Sequence, residues 1–267
     1  MKSQISATTS LYAFIASVYL AFDIKSEELK DTIAGFKAMK VRGANVSMPH
    51  KQNIIPYLDE ISTASRLCNA VNTITFKDGK YYGTITDGIG FTRSLEEQGW
   101  LIKDKKITMV GAGGASTAIM VQLALDGVKE IIVYNRTMRT EFQEIINNTI
   151  IETGCTITLK SLSDLESLKK DMHSSYLFIN TTGVGMEPML ERSVVPDASY
   201  FKPDLKVADI IYQPAVTKML RLAKEAGCAT MNGELMLLYQ GVESFKIWTG
   251  QEMPINEVKK VLGIEVK

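Results

Sequence analysis

Lys51 closes the run NVSMPHK at 45–51, which reads as a strand entering a proline-initiated helix with polar Asn45 and Ser47 behind the lysine. A lysine held in a cleft exchanges protons once desolvation brings its pKa toward the working pH; a solvated lysine at a helix start is the competing reading. Asp87 offers a carboxylate in a Thr-Asp-Gly turn at a domain junction, a place that an ordinary turn or capping aspartate also fills. Asn72 could bond a substrate hydroxyl or satisfy backbone at the edge of a core. Tyr212 and Gln240 stand late in the chain on segments that can face a cleft or serve packing.

A second group of residues points to a nucleotide. The stretch 105–137 reads as strand, glycine turn, helix and second strand, with the turn formed by Gly111, Ala112, Gly113, Gly114, Ala115 and Ser116. That is the βαβ unit whose glycines let the backbone approach a dinucleotide pyrophosphate and whose first helical N–H groups face it. The third position of the G-x-G-x-x-G pattern is Ser116, small enough for close helix–strand packing. The second strand ends in Asn135, Arg136 and Thr137, with Arg139 close by, where a carboxylate would read the ribose of NAD. An arginine with polar neighbours suits the 2′-phosphate of NADP, so NADP is favoured and NAD is the alternative. A surface arginine opening a solvated helix also fits those residues.

The elements that must position these residues alternate along the chain. Strands are expected over 11–24, 41–48, 69–76, 81–85, 107–110, 131–134, 155–159, 176–180, 205–211 and 229–231. Helices are expected over 26–39 (capped by Ser26), 49–58, 62–67, 89–98, after the glycine turn, 141–147, 162–170, 217–226, 232–248 and 255–262. Lys77, Asp78, Gly79 and Lys80 signal a hairpin. The loop 181–186 follows a strand's carboxyl end, where open α/β sheets bind ligands. The expected fold is α/β: a Rossmann-type cofactor domain over 89–237, plus a smaller α/β substrate domain over 1–88 completed by 238–267, with a cleft between them.

The 267 residues carry 30 basic and 30 acidic side chains, which argues against nucleic acid or an anionic membrane surface as partner. No apolar run approaches a membrane span, and 11–22 lacks the flanks of a signal peptide. Three unpatterned cysteines and two histidines suit a reducing cytoplasm and offer no metal site.

The runs NVSMPHK (45–51), NAVNT (69–73), TDG (86–88), GAGGAS (111–116), NRT (135–137), NTTGVGM (180–186) and 232–240 together resemble the shikimate dehydrogenase family, in family order, and the tail LLYQG (237–241) is similar to its quinate/shikimate branch. The resemblance implies reversible hydride transfer between NADP(H) and shikimate or 3-dehydroshikimate, with quinate as a further substrate. The alternative within enzymes is an NAD-preferring quinate/shikimate dehydrogenase, and a homodimer is one assembly that the resemblance allows. It implies Lys51 as the proton-transfer residue and Asp87 as its companion. Ser47, Asn72 and Gln240 would bond the polyol, and Tyr212 would lie near the carboxylate end. Thr181 and Gly233 join the cofactor-binding set. Uncharged donors suit a polyol, since a site built for hydroxyls rejects analogues lacking them.

Two departures stand out. Ile85 occupies a position where the family carries Asn. The family's Ser-x-Ser-Pro stretch, whose serines bind the substrate carboxylate, has no counterpart between the strand-like runs 11–16 and 17–23. Parallel neighbours need a crossover of a dozen or more residues. The chain has therefore lost that pocket, or its sequence lacks a βα piece of about 30 residues at this join. With the pocket lost, the alternative of another class is a catalytically impaired dinucleotide-binding sensor.

Overall fold

The computed structural model describes residues 17–265 and divides into two units, Met1–Thr86 with Gln240–Lys267, and Asp87–Tyr239. In the first unit, helix α1 (Leu29–Ala38) turns Leu29 and Ile33 inward, with Asp31 in its first turn and Lys37 in its last, matching the helix dipole. Strand β1 (Gly43–Asn45) leads to a single helical turn, α2 (His50–Asn53), and a 3-10 turn at Ile55–Tyr57. Then come β2 (Glu60–Ile61), α3 (Thr63–Cys68), β3 (Thr73–Lys77) and β4 (Lys80–Thr84).

These strands form a sheet ordered β1-β3-β4-β2, antiparallel except for the β2–β4 pair. The hairpin turn has positive φ at both Asp78 (53°) and Gly79 (80°), the geometry that matches strand twist in a two-residue loop. Leu29, Ile33, Ile54, Val71, Ile74 and Tyr81 make the core of this unit.

Several expected bounds shift for local reasons. The strand expected over 11–24 lies outside the described residues up to 16, and 17–24 carries no strand. Ser26 does not cap: a 3-10 turn occupies Ser26–Glu28, and the Glu28 carboxylate accepts the Lys25 N–H at 3.0 Å. The helix expected over 49–58 is one α-turn followed by a 3-10 turn, because Pro56 has no N–H to continue the ladder. Asn69 is the left-handed C-cap of α3 (φ 49°), so the strand expected from 69 begins at Thr73.

The second unit opens with α4 (Asp87–Glu97) and continues through β5 (Lys106–Val110), α5 (Gly114–Leu125), β6 (Glu130–Asn135), α6 (Thr140–Thr153) and β7 (Thr156–Ser161). It then runs through α7 (Leu165–Ser174), β8 (Leu177–Asn180), β9 (Lys206–Asp209), α8 (Lys218–Glu225) and β10 (Ala229–Met231). Helix α9 (Glu234–Thr249) begins in this unit and belongs to the first from Gln240 on, where α10 (Ile255–Leu262) follows.

The sheet of the second unit is ordered β10-β9-β8-β5-β6-β7 and every pair in it is parallel. Read from β7, that is the doubly wound order whose direction reverses between β5 and β8. Ile107, Met109, Val133, Leu177 and Ile179 are fully buried, as strands covered on both faces require. Helix α5 is buried almost all round, which is why its apolar residues do not form a single stripe. Near the other end of the sheet, the carboxylate of Asp171 accepts from the Tyr134 hydroxyl (2.6 Å) and pairs with Lys160 (2.7 Å) and Lys106 (3.4 Å). On the opposite flank the Tyr239 hydroxyl donates to Glu97, and Arg93 lies 5.0 Å over the tyrosine ring, which fastens the start of α9 to α4.

Candidate functional site

In the second unit the candidate residues gather at the carboxyl edge of the parallel sheet. Val110 and Tyr134 are register partners, and the next N–H, that of Gly111, donates to the Tyr134 carbonyl at 2.8 Å. The bend after β5 therefore sits beside the end of β6. Gly111 has φ +123°, and a Cβ there would run into the Thr181 hydroxyl, so only glycine fits. Gly113 and Gly114 have open space where a Cβ would be, and they start α5 with no acidic residue in its first turn. Together with Ala112 and Ala115 they leave the first N–H groups of a twelve-residue helix uncovered, an anion-binding arrangement.

Ser116 does more than its small size suggests. It is fully buried, and its hydroxyl donates to the Gly111 carbonyl at 2.6 Å, closing the turn from below. Asn135 ends β6 and donates to the Thr137 carbonyl at 2.7 Å, curling the chain so that Arg136, Thr137 and Arg139 stand exposed. Among the described residues neither arginine has an ion-pair partner. Thr181 is buried, and both its N–H (2.9 Å) and its hydroxyl (2.7 Å) donate to the Val110 carbonyl, so its side chain backs the glycine turn.

Two more candidates flank the exit of β9. Gly233 donates its N–H to the Ile211 carbonyl at 3.0 Å, and a Cβ on it would meet the Ile210 carbonyl; close backbone approach fixes that glycine. Tyr212 is half exposed in the loop that follows. Asp209, at the end of β9, is fully buried and was given no role by the sequence, although an acid at a parallel strand's carboxyl end is a readable signal. Burial pushes its carboxyl up to about 6, against the pull of hydrogen bonds from Ile211, Thr217 and Asn180. Asp87 also lies in this unit. It is buried and begins α4, so the turn expected there is the first turn of a helix.

In the first unit a polar cluster joins Asn45, Asn72, Thr73 and Ser244. Asn45 Nδ2 lies 3.2 Å from Ser244 Oγ and 3.3 Å from the Asn72 carbonyl. Ser244 Oγ lies 2.8 Å from Thr73 Oγ1, and its own helical turn begins at Gln240, whose carbonyl accepts from it at 3.1 Å. Trp248 anchors the same helix to the sheet by donating from Nε1 to the Ile74 carbonyl at 2.8 Å. Asn72 is buried, and its Oδ1 accepts the Thr86 N–H at 2.9 Å, fixing the residue before Asp87. Lys51 sits on α2, and its carbonyl accepts the Val71 N–H at 2.8 Å, next to Asn72. Ser47 is exposed just before that turn, and His50 N–H donates to its carbonyl at 2.9 Å. Lys51, Asn72, Ser47 and Gln240 thus belong to one unit, and Asp87, Tyr212 and the glycine turn to the other. Sequence reasoning missed Ser244, because a serine within a helix gives no signal without the fold.

A doubly wound parallel sheet with an open glycine turn at its switch point, next to a basic strand end, defines a Rossmann-type dinucleotide-binding protein. The chain belongs to the shikimate dehydrogenase family. Residues 7–74 match the shikimate dehydrogenase substrate binding domain, 94–211 the shikimate / quinate 5-dehydrogenase family and 233–262 the shikimate 5'-dehydrogenase C-terminal domain. A shikimate dehydrogenase (NADP(+)) from Listeria innocua is 47% identical over 249 residues, covering 92% of this chain and 85% of that protein. The crystal structure of shikimate 5-dehydrogenase from Listeria monocytogenes in complex with shikimate and NAD superposes with a TM-score of 0.89 at 46% identity, covering 92% of this chain and 86% of that one. A shikimate dehydrogenase in complex with NADP+ gives a TM-score of 0.81 at 38% identity, covering 93% and 86%.

Proposed function

We propose that this chain is an NADP-dependent shikimate dehydrogenase that interconverts shikimate and 3-dehydroshikimate. The observation that carries the reading is the open glycine turn of 111–114 set beside the exposed Arg136 at the end of β6, in a chain 47% identical to a relative named for that activity with NADP(+). The residues fit the dinucleotide: Gly111 bends the backbone toward its pyrophosphate, Ala112, Gly113, Gly114 and Ala115 offer N–H groups to it, and Asn135, Arg136 and Thr137 suit the 2′-phosphate. Thr181 and Gly233 complete that set by shaping the backbone around the turn.

When bound, the nicotinamide supplies the hydride acceptor or donor. Lys51 takes the proton from the reacting hydroxyl in oxidation and returns it in reduction, the general acid–base role that matches a hydride leaving the same carbon. Asp87 orients the lysine and a neighbouring hydroxyl. Ser47, Asn72 and Gln240 bond the ring hydroxyls, and Tyr212 borders the carboxylate. The substrate domain corresponds to 1–88 with 238–267 and the cofactor domain to 89–237. Quinate is a second substrate, NAD a weaker cofactor, and the protein is a cytoplasmic homodimer in this reading. Among the described residues, no helix is long and apolar enough to cross a membrane.

The test is reduction of NADP and of NAD followed by nicotinamide absorbance, first with shikimate and then with quinate. Turnover fastest with shikimate and NADP is the expected result. Tight cofactor binding with neither substrate turned over would overturn the reading and point to a chain without the carboxylate pocket.

A further inference from the structure

Asp209 and Asn180 are register partners at the carboxyl ends of β9 and β8. Asp209 has no ion-pair partner among the described residues; its carboxylate accepts from Asn180 Nδ2 (3.1 Å), the Ile211 N–H (3.1 Å) and the Thr217 hydroxyl (2.8 Å). An ionised carboxylate only accepts, so it decides which end of the Asn180 amide faces it: the NH2. That leaves Asn180 Oδ1 turned toward the following loop, where it accepts the Thr182 N–H (3.1 Å) and the Thr182 hydroxyl (2.7 Å). Asn180 Nδ2 also donates to the Val184 carbonyl (3.2 Å), and the Val184 N–H donates back to Thr182 Oγ1 (3.1 Å). Thr182 and Val184 are therefore held by one amide, and that amide is oriented by one buried carboxylate. Thr181, the first residue of the loop, is the one that backs the Gly111 turn.

We propose that Asp209 is a positioning residue that fixes the orientation of the Asn180 amide and, through it, holds loop 181–184 in the conformation that receives the cofactor. This rests on the reading that the glycine turn and Thr181 bind NADP. The Ile211 and Thr217 bonds extend the same control to the loop bearing Tyr212, but the Asn180 bond is the one that reaches the glycine turn. Without the carboxylate, Asn180 is free to flip, and a flipped amide turns its NH2 toward the Thr182 N–H and its oxygen toward the Val184 carbonyl, breaking the loop's internal bonds.

The experiment compares steady-state kinetics of the wild type, Asp209→Ala, Asp209→Asn and Thr182→Val with NADP and shikimate. Asp209→Ala is expected to raise the KM for NADP roughly tenfold or more, about the loss of one or two buried hydrogen bonds, with kcat at saturating NADP changed far less. Asparagine keeps an acceptor oxygen for Asn180, so Asp209→Asn rescues the KM. A residue that merely supports folding would lower the active fraction, and so kcat, without moving that KM. An unchanged KM for NADP in Asp209→Ala, or an equal rise in Asp209→Asn, overturns the inference. If Asp209→Ala does not fold, Thr182→Val decides: a raised KM for NADP supports the chain of contacts, and an unchanged one breaks it. A wild type that binds neither NADP nor NAD would sink the cofactor reading itself, and this inference with it; normal wild-type binding with normal Asp209→Ala binding sinks the inference alone.

Discussion

The Ser116 hydroxyl donates to the Gly111 carbonyl at 2.6 Å, so the third position of the glycine motif closes the turn that the first position opens. Both residues are buried, and without the hydroxyl the Gly111 carbonyl has no donor there in its place. Ser116→Ala is expected to cost about 1–3 kcal/mol of stability, the range for stranding a buried acceptor. Urea denaturation checks it, and an unchanged midpoint would mean that water replaces the hydroxyl.

The turn's geometry makes a sharper prediction at Gly111. Its φ of +123° is rarely adopted by side-chain-bearing residues, and a Cβ would strike Thr181. Gly111→Ala is expected to weaken NADP binding by roughly tenfold to a hundredfold, the worth of one or two charge-assisted bonds from the turn to the pyrophosphate. Fluorescence titration with NADPH measures it. Near-normal affinity would show that the turn is not where the pyrophosphate binds.

Arg136 tests the choice between the two nicotinamide cofactors. It is exposed and without an ion-pair partner among the described residues, so its removal leaves no buried charge behind. Arg136→Ala is expected to raise the KM for NADP by roughly tenfold to a hundredfold, the worth of a charge-assisted contact to phosphate, while the KM for NAD moves little. Equal effects on both cofactors would remove the 2′-phosphate role.

Asp209 gives a pH signature in stability. Burial raises its folded pKa from 3.8 to about 6, so the folded state binds the proton more tightly than the unfolded chain. The stabilisation is fully present below pH 3.8 and is lost as pH rises through about 6. A shift of that size is worth about 3 kcal/mol. Wild type measured against Asp209→Asn in urea should gain up to that amount between pH 7 and pH 4, and a gap independent of pH would show that Asp209 titrates normally.

The sequence made the second unit far more legible than the first, and the reasons are physical. Strands β5, β6 and β8 are buried on both faces, so each reads as an apolar run, and the glycine turn between β5 and α5 announces itself by composition. The first unit is built from strands as short as two residues and a helix of one turn, which are too brief to show a period. The strand misread over 17–24 shows the same limit: Val18, Tyr19, Leu20 and Phe22 have strand-forming character, yet all four are exposed and unpaired in the sheet. Within the site, Lys51, Asn72 and Asp87 stood out by their polar side chains in recognisable runs. The contacts that hold them, Asn72 with Thr86 and Ser244 with Thr73, join positions far apart in the chain and become visible only once the sheet is formed.

Lys51 carries the chemistry of the proposed mechanism, and its position separates rate from binding. It lies in the first unit, whereas the glycine turn and Arg136 lie in the second. Lys51→Ala is expected to lower kcat by about a hundredfold to ten-thousandfold, the usual worth of a positioned acid–base group, with the affinity for NADP within about twofold of wild type, well under the roughly 1.4 kcal/mol that a tenfold change represents. Lys51→Arg should not restore the rate, because guanidinium stays protonated at any working pH and cannot accept the hydroxyl proton. A Lys51→Ala enzyme turning over shikimate at the wild-type rate would assign the proton transfer to another group, and a loss of cofactor affinity equal to the loss of rate would assign Lys51 to binding.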